Sequence, residues 1–164
     1  MANQSFEAVL AGLESQGRYL AIAESLTGGA VSAAVVDVPG ASKVFLGSVV
    51  AYQTQLKNEL LGVSKALLSA VGPVDAQVAI QMARGVRSSL ASKMALPESA
   101  VIGLATTGVA GPDAQDGIPA GTAFIGLSFA EGEFVYPLSL SGSRAEIRAD
   151  VLQATIEVLG EHFL

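Results

Sequence analysis

Ser25 is the residue of this sequence best placed to act as a nucleophile, because an apolar run ends beside it and a helical pattern follows. The segment Tyr19–Gly29 has the sequence YLAIAESLTGG. At a turn from strand to helix, free backbone N–H groups and the positive end of the helix dipole favour a bound anion. Thr27, Gly28 and Gly29 are therefore predicted to bind the anionic group of a substrate. The alternative is that Ser25 simply caps the helix.

A serine nucleophile needs a base, and this chain offers few. The local sequence is not the G-x-S-x-G elbow of hydrolases, since Ala23 and Thr27 occupy the glycine positions. The chain has no cysteine and a single histidine, His162, which we interpret as a surface or helix-end residue. Multi-histidine and cysteine metal sites are therefore excluded. Any base for Ser25 is expected to be a lysine or a carboxylate.

Lys57 is the candidate base, provided that it is buried beside Ser25. A free lysine has a pKa of about 10.4, so a neutral amine near pH 7 requires a decrease of roughly three units, or about 4 kcal/mol. A solvated lysine on an exposed helix is the alternative. Tyr52 could relay a proton or orient the substrate, and its alternative role is that of a cross-strand aromatic residue.

Two further features could bind anions. The glycine-punctuated segment 107–112 could form a nest of N–H groups for a phosphate or a developing oxyanion, or it could be a tight loop that needs positive φ angles. Arg144 and Arg148 share the first turns of the last predicted helix, where a cation opposes the helix dipole. Phosphate or carboxylate binding is favoured there over a solvated face. Arg84 and Arg87 are interpreted as surface charges.

Hydrophobic periodicity predicts the elements that position these residues. Helices are predicted over 5–16, from about 27 to before 39, over 54–61 and 64–70, from a cap at Asp75 past residue 90, and over 144–163. Strands are predicted over 19–23, 44–52, 101–105, 122–129 and 134–140. The last two would form an antiparallel hairpin around Glu131 and Gly132.

The order of these elements predicts an α/β fold, a three-layer α/β/α sandwich with a mixed, mainly parallel sheet. Ligands in such sheets bind at the carboxyl ends of the strands. Three polar or glycine-rich turns are expected to meet there, namely 24–29, the region after Tyr52, and 107–112.

Composition limits the class of protein. The 164 residues fit one domain, 1–164, with 51% hydrophobic residues, a mean hydropathy of +0.51 and a net charge of −6. No apolar run approaches the ~20 residues of a membrane helix, and Met1–Glu7 lacks the pattern of a signal peptide. A cytoplasmic location is expected, with no nucleic-acid or membrane partner. The high apolar content favours a homo-oligomer.

Several groups of residues, in order from about residue 13 to the last helix, resemble one known family. They are Ala23-Glu24-Ser25-x-Thr27-Gly28-Gly29, Pro39-Gly40-Ala41-Ser42, Phe45-x-Gly47-x-Val49-x-x-Tyr52, Lys57 with Leu61-Gly62-Val63, Met82-Ala83-x-Gly85, residues 107–112, Pro119-x-Gly121-Thr122, and Gly142-x-Arg144 with Arg148. They resemble the C-terminal domain of the CinA competence/damage-inducible proteins, whose stand-alone members are nicotinamide-nucleotide amidases.

The resemblance implies hydrolysis of the carboxamide of nicotinamide mononucleotide to nicotinate mononucleotide and ammonia, in pyridine-nucleotide salvage. Ser25 would be the nucleophile, and Lys57 its general base and later its acid. The partner would be a small-molecule pyridine nucleotide. A Ser–Lys pair is a chemically sound substitute for Ser–His.

The resemblance also implies a set of binding residues. Tyr52 and Thr107 would line the site, while Gly108, Gly111 and Arg144 would hold an oxyanion or a phosphate. No metal or cofactor is implied.

The chain departs from the family pattern at three places. Asp113–Asp116 stands where the family usually continues in glycines, Ser48 where a second glycine is common, and Asp75 where a serine is common. The additional N-terminal domain of larger relatives is expected to be missing. These departures leave two alternatives to an amidase: a catalytically inactive paralogue that binds a nucleotide or a partner, and a purely structural oligomer.

Overall fold

The computed structural model describes residues 5–164. The segment Met1–Glu7, which was predicted to lack the pattern of a signal peptide, therefore lies partly outside the described residues. The elements are α1 (Phe6–Ser15), β1 (Tyr19–Glu24), α2 (Ala30–Val36), β2 (Phe45–Val50), α3 (Thr54–Leu61), α4 (Lys65–Val71), α5 (Ala76–Lys93), β3 (Val101–Gly108), β4 (Thr122–Phe129), β5 (Gly132–Ser139) and α6 (Arg144–Phe163). Short 3₁₀ helices cover Ala41–Lys43 and Glu98–Ala100. Within residues 5–164, no helix is long and apolar enough to cross a membrane.

The five strands form one mixed sheet in the order β2-β1-β3-β4-β5. β1 pairs in parallel with both β2 and β3, and Ala23 lies opposite Val49 on one side and Ala105 on the other. β4 is antiparallel to β3 and to β5, so four of the five strands point the same way. The carboxyl ends of β1, β2 and β3 therefore lie along one edge of the sheet, as predicted.

Helices cover both faces of the sheet because the strands are apolar on both. In β1, Leu20 and Ile22 pack with α1, α2 and α6, whereas Ala21 and Ala23 face the side of α5. This alternation follows the two-residue period of a strand. α3 packs beside α5 on that second side. The predicted α/β/α sandwich is confirmed, and its two larger hydrophobic clusters lie on opposite faces of the sheet.

Two predicted boundaries were wrong at the site itself. The helix after Ser25 begins at Ala30 rather than near Thr27, because Gly28 and Gly29 adopt left-handed conformations with φ of 61° and 100°. β3 continues to Gly108, because residues 107 and 108 remain paired with β4. Thr107 and Gly108 are thus the end of a strand and not part of a loop.

Candidate active site

Ser25 and Lys57 form a buried pair at the carboxyl edge of the sheet. Ser25 directly follows β1, and Lys57 lies on α3, which begins shortly after the neighbouring strand β2. The Lys57 Nζ donates to Ser25 Oγ at 2.9 Å and to the Ala51 carbonyl at 2.7 Å. The exposed fractions of Lys57 and Ser25 are 1% and 7%. Lys57 is thus buried beside Ser25, which is the condition for its predicted role as a base.

Burial makes the Lys57 ammonium lose its proton more readily than that of an ordinary lysine. Desolvation lowers the pKa of Lys57 from 10.5 to about 8, because a charged ammonium loses its hydration in an apolar environment. Among residues 5–164, no carboxylate lies within ion-pair distance of Lys57. Roughly a tenth of the molecules therefore carry a neutral Lys57 amine at pH 7, and about half do at pH 8.

A cavity of about 340 Å³ opens directly above the pair. Its wall comes from residues 25–26, from 52–54 with Lys57, and from 107–113 with Gln115, with contributions from Pro73, Val74 and Arg144. The three turns that were expected to meet at the sheet edge do contribute to one cavity. The volume is suited to a small-molecule ligand.

Tyr52 and Arg144 lie on the cavity wall and are joined to each other. Arg144 Nη2 donates to the Tyr52 hydroxyl at 3.0 Å, and Nη1 donates to the Gly111 carbonyl at 2.8 Å. Tyr52 is 54% exposed. Within the described residues its hydroxyl makes no hydrogen bond to Ser25 or Lys57. Of the two functional roles considered for Tyr52, the geometry thus favours orienting a ligand over relaying a proton.

Thr107 and Gly108 reach the cavity from the end of β3. The Thr107 hydroxyl is buried and donates to the Pro73 carbonyl at 2.7 Å, which ties β3 to the segment before α5. At Gly108, an added Cβ would lie 2.6 Å from the Ala123 Cβ. Glycine is therefore required there by close packing of β3 against β4, and no positive φ is involved.

Thr27, Gly28 and Gly29 lie outside the cavity wall, contrary to the expectation that they bind a substrate anion. The Thr27 hydroxyl is buried and bonds to Thr106 Oγ1 at 2.8 Å. The Glu24 carboxylate accepts the backbone N–H of Gly29 at 2.9 Å. Because Glu24 already occupies this helix N-terminus, the three residues are not part of the binding set proposed below.

Arg148 is also engaged inside the protein. Its Nε donates to the Leu26 carbonyl at 2.9 Å and its Nη2 to the Thr27 carbonyl at 2.7 Å. Arg148 does not line the cavity, so the interpretation of this residue as an anion ligand is wrong.

The remaining basic residues lie away from the cavity. Arg84 lies at the surface, as predicted, and forms an ion pair with Glu133. Arg87 is more deeply placed than predicted and donates to the carbonyls of Glu98 and Val101. His162 packs among the aromatic rings at the β4–β5 hairpin and bonds to Tyr136.

The segment that departs from the family pattern is an ordered turn. Gln115 and Ile118 exchange backbone hydrogen bonds of 3.0 and 2.8 Å. Between them, Asp116 and Gly117 have φ of 50° and 80°, the backbone of a two-residue hairpin turn that favours Asp-Gly. Asp113 and Gln115 line the cavity. Where the family usually has glycines, this chain therefore places polar side chains on the cavity wall, and they are carried by a hydrogen-bonded turn.

Sequence reasoning missed the role of Glu24. This carboxylate is completely buried and accepts hydrogen bonds from Gly29, Val31 and Ser32. The sequence does show a carboxylate at the end of an apolar strand. It lies five residues before Gly29, whose N–H is the first that it accepts. Pro73 was missed as well, because no local pattern connects a turn before α5 to a threonine on β3.

Comparison with known proteins agrees with this architecture. The family model of the CinA C-terminal domain matches residues 2–163. A CinA-like protein of Frankia casuarinae is 42% identical over 159 residues, covering 96% of this chain and 35% of the relative. A putative competence-damage inducible protein of Desulforamulus reducens is 42% identical over 148 residues, covering 90% and 34%. The chain spans about a third of the length of these relatives.

Solved structures share the fold. A CinA superfamily protein of Klebsiella pneumoniae has a TM-score of 0.85 at 24% identity, covering 99% of this chain and 98% of that one. The competence/damage-inducible protein CihA of Agrobacterium tumefaciens has a TM-score of 0.82 at 26% identity, covering 95% and 94%. On the family match and the two relatives, this chain belongs to the CinA C-terminal domain family.

Proposed function

We propose that this chain is an amidase that hydrolyses the carboxamide of nicotinamide mononucleotide to nicotinate mononucleotide and ammonia. The observation that carries the proposal is the 2.9 Å contact between Lys57 Nζ and Ser25 Oγ at the base of a ligand-sized cavity. A nucleophile within hydrogen-bond reach of a buried base is the arrangement that activates a serine hydroxyl. The choice of substrate rests on the family resemblance.

In the first half of the reaction, Ser25 forms an ester with the substrate. The neutral Lys57 amine takes the hydroxyl proton as Ser25 Oγ attacks the carboxamide carbon. The resulting Lys57 ammonium then gives that proton to the amide nitrogen, the C–N bond breaks and ammonia leaves. The Ala51 carbonyl, 2.7 Å from Nζ, holds the amine in line with Ser25 throughout.

In the second half, water hydrolyses the ester. Lys57 accepts a proton from water as its oxygen attacks the ester carbon, and returns the proton to Ser25 Oγ as the C–O bond breaks. The carboxylic acid so formed releases its proton to solvent, which leaves the free enzyme and the carboxylate of nicotinate mononucleotide. One lysine thus serves as base and acid in both halves, which requires a pKa near the working pH.

Backbone N–H groups on the cavity wall are suited to stabilise the negative oxygen of each tetrahedral intermediate. Within residues 5–164, the N–H groups of Leu26, Ala110 and Gly111 donate to no protein acceptor, and all three residues line the cavity. Fixed donors of this kind contribute about 3–4 kcal/mol each in characterised amide hydrolases. We assign the oxyanion site to these groups.

The phosphate of the nucleotide is assigned to Arg144 at the mouth of the cavity. Arg144 is the one arginine among the residues that line it, and a guanidinium binds phosphate through two parallel hydrogen bonds. Thr107 and Gly108 form part of the wall of the same cavity. Tyr52 orients the nucleotide beside Arg144.

A non-catalytic nucleotide-binding domain is the second candidate, because Asp113 and Gln115 change the character of the cavity wall. Under this alternative, nicotinamide mononucleotide would stabilise the fold without being consumed. At 100 times its dissociation constant, a ligand adds about 2.7 kcal/mol to the free energy of unfolding. The melting temperature therefore distinguishes binding from the absence of any interaction.

The test is the release of ammonia from nicotinamide mononucleotide by purified protein, with both products identified. We expect wild type to form nicotinate mononucleotide and Ser25→Ala to lose at least 10³-fold in kcat while still being stabilised by the nucleotide. A nucleotide that raises the melting temperature of wild type but stays intact on long incubation would establish the second candidate instead. No stabilisation and no turnover would leave only the structural role.

A further inference from the structure

Two charged side chains that do not touch the cavity hold the turn that carries Ser25. We propose that Glu24 and Arg148 act as positioning residues that together clamp residues 24–32, and so fix Ser25 Oγ in line with Lys57. The proposal rests on the proposed function in taking Ser25 as the nucleophile and Lys57 as its base. It does not depend on the identity of the substrate.

Glu24 holds the N–H groups on one side of the turn. Its Oε2 accepts from Gly29 N at 2.9 Å and from Val31 N at 3.2 Å, and its Oε1 accepts from Ser32 N at 2.8 Å and from the Ser32 hydroxyl. These donors lie at the beginning of α2, where the N-cap residue is a glycine without a capping side chain. The carboxylate thus closes a ring of nine residues in which Ser25 is the second.

Arg148 holds the carbonyl groups on the other side. Its Nε and Nη2 donate to the carbonyls of Leu26 and Thr27 at 2.9 and 2.7 Å. These are the two residues immediately after Ser25, and Arg148 reaches them from α6. A guanidinium presents its donors in a rigid fork, so two adjacent carbonyls fix its direction. The end of the chain is thereby connected to the nucleophile.

The clamp and the base share one anchor. The Ala51 N–H donates to the Glu24 carbonyl at 2.9 Å, and the Ala51 carbonyl accepts from Lys57 Nζ at 2.7 Å. Glu24 and Lys57 are therefore tied to opposite sides of one buried residue. The distance from Ser25 Oγ to Nζ depends on this shared connection.

The turn needs such a clamp because its own backbone is permissive. Gly28 and Gly29 have positive φ angles, and glycine exchanges readily among several conformations. A displacement of about 1 Å between reacting groups can reduce a rate by roughly 10². Loss of Arg148 should therefore slow the attack by Ser25 without changing how the ligand binds.

The test compares wild type with Arg148→Met, which keeps the stem and removes the fork, and with Arg84→Met as the control at a surface arginine. Each protein is assayed for deamidation and for labelling by a fluorophosphonate probe. In labelling, a bond forms between Ser25 Oγ and phosphorus, fluoride leaves and the hydroxyl proton passes to Lys57. The probe reports on Ser25 whether or not the proposed substrate is correct.

We expect Arg148→Met to be labelled 30- to 100-fold more slowly and to lose kcat by the same factor, with KM within twofold of wild type. The midpoint of its pH–rate profile should stay near 8, because the surroundings of Lys57 are kept. Arg148→Lys should recover part of the rate, and Arg84→Met should match wild type.

Two results with Arg148→Met would overturn the proposal. One is a folded Arg148→Met variant that is labelled at the wild-type rate. Another is a shift of its pH midpoint toward that of an ordinary lysine, which would indicate general loosening. If Arg148→Met does not fold, Arg148→Gln decides in the same way. A wild type that is labelled but releases no ammonia contradicts the proposed substrate alone, whereas labelling that persists in Ser25→Ala contradicts both proposals.

Discussion

At the scale of single residues, the burial of Lys57 determines whether its amine can accept a proton from Ser25. A lysine with an ordinary pKa is almost fully charged at pH 7 and cannot accept a proton from serine. Desolvation by burial lowers the pKa of Lys57 to about 8, and within residues 5–164 no carboxylate forms an ion pair with it. The buried position that lowers the pKa of Lys57 also places its Nζ within hydrogen-bond distance of Ser25 Oγ.

The pH dependence of activity should follow the neutral form of Lys57. We expect kcat/KM for nicotinamide mononucleotide to rise about tenfold per pH unit up to about pH 8 and then to level off. Initial rates between pH 6 and pH 9.5 measure this profile. A rate that is flat over this range, or that keeps rising to pH 10, would be inconsistent with a base of this pKa.

The free energy of unfolding should also depend on pH through Lys57. Lys57 has a pKa of 10.5 when unfolded and about 8 when folded, so between these values the unfolded chain binds more protons. The free energy of unfolding contributed by Lys57 therefore rises with pH in this window and is lost as pH falls through 8. Wild type should gain about 2 kcal/mol relative to Lys57→Met between pH 7 and pH 9.5.

Urea unfolding of the two proteins at both pH values measures that difference. Lys65→Met, at an exposed lysine on α4, is the matched control and should show no such change with pH. A Lys57→Met protein whose stability follows wild type across the whole range would show that Lys57 is not desolvated.

At the scale of elements, close contacts of α5 position Lys57, the proposed base. An added Cβ at Gly85 of α5 would lie 1.8 Å from the Leu61 carbonyl, the last residue of α3. Gly103 and Gly126 leave similar room where α5 crosses β3 and β4. Because Lys57 lies one turn before Leu61, the distance between α3 and α5 controls where Nζ lies.

Gly85→Ala should therefore both destabilise the fold and weaken catalysis. The methyl group must push α3 away, which we expect to cost about 2–3 kcal/mol and to lower kcat/KM roughly tenfold or more. Ser89→Ala, on the same helix, is the control and should stay within about 0.5 kcal/mol of wild type. Chemical unfolding and steady-state rates measure the pair, and an unchanged Gly85→Ala would disprove the close contact.

Helices and strands with strong periodicity could be predicted from the sequence. α3 and α6 have the predicted bounds, and Asp75 caps α5 as expected. The boundary after Ser25 could not be predicted, because it depends on the Glu24 carboxylate capping the helix from a distance. The end of β3 was missed for a related reason: pairing with β4, not local composition, keeps residue 108 in the sheet.

The candidate site was predictable in part. The alternation of elements predicts an α/β sheet whose turns meet at the carboxyl ends of the strands, and Ser25, Tyr52 and residues from the segment 107–112 do line one cavity. What could not be predicted was which cations face the ligand. Arg144 and Arg148 are one turn apart in sequence, yet only a tertiary contact decides that Arg148 binds the carbonyls of Leu26 and Thr27 while Arg144 borders the cavity.

At the scale of the whole molecule, the sandwich brings together groups from distant parts of the chain. The proposed nucleophile follows the first strand, the proposed base lies on the third helix, and the last helix supplies both Arg144 and Arg148. Each group is fixed by contacts to the sheet edge or to a neighbouring backbone. The site is thus a property of the assembled fold, and every variant must be compared at equal folded fraction.

The most direct measurement is the rate of ammonia release from nicotinamide mononucleotide by wild type, Lys57→Met and Lys65→Met at pH 7.5, with folding checked for each. A Ser–Lys mechanism predicts that Lys57→Met loses at least 10³-fold in kcat, since the attacking serine then has no base, while Lys65→Met retains the wild-type rate. Substantial turnover by folded Lys57→Met would contradict the assignment of Lys57 as the base that activates Ser25.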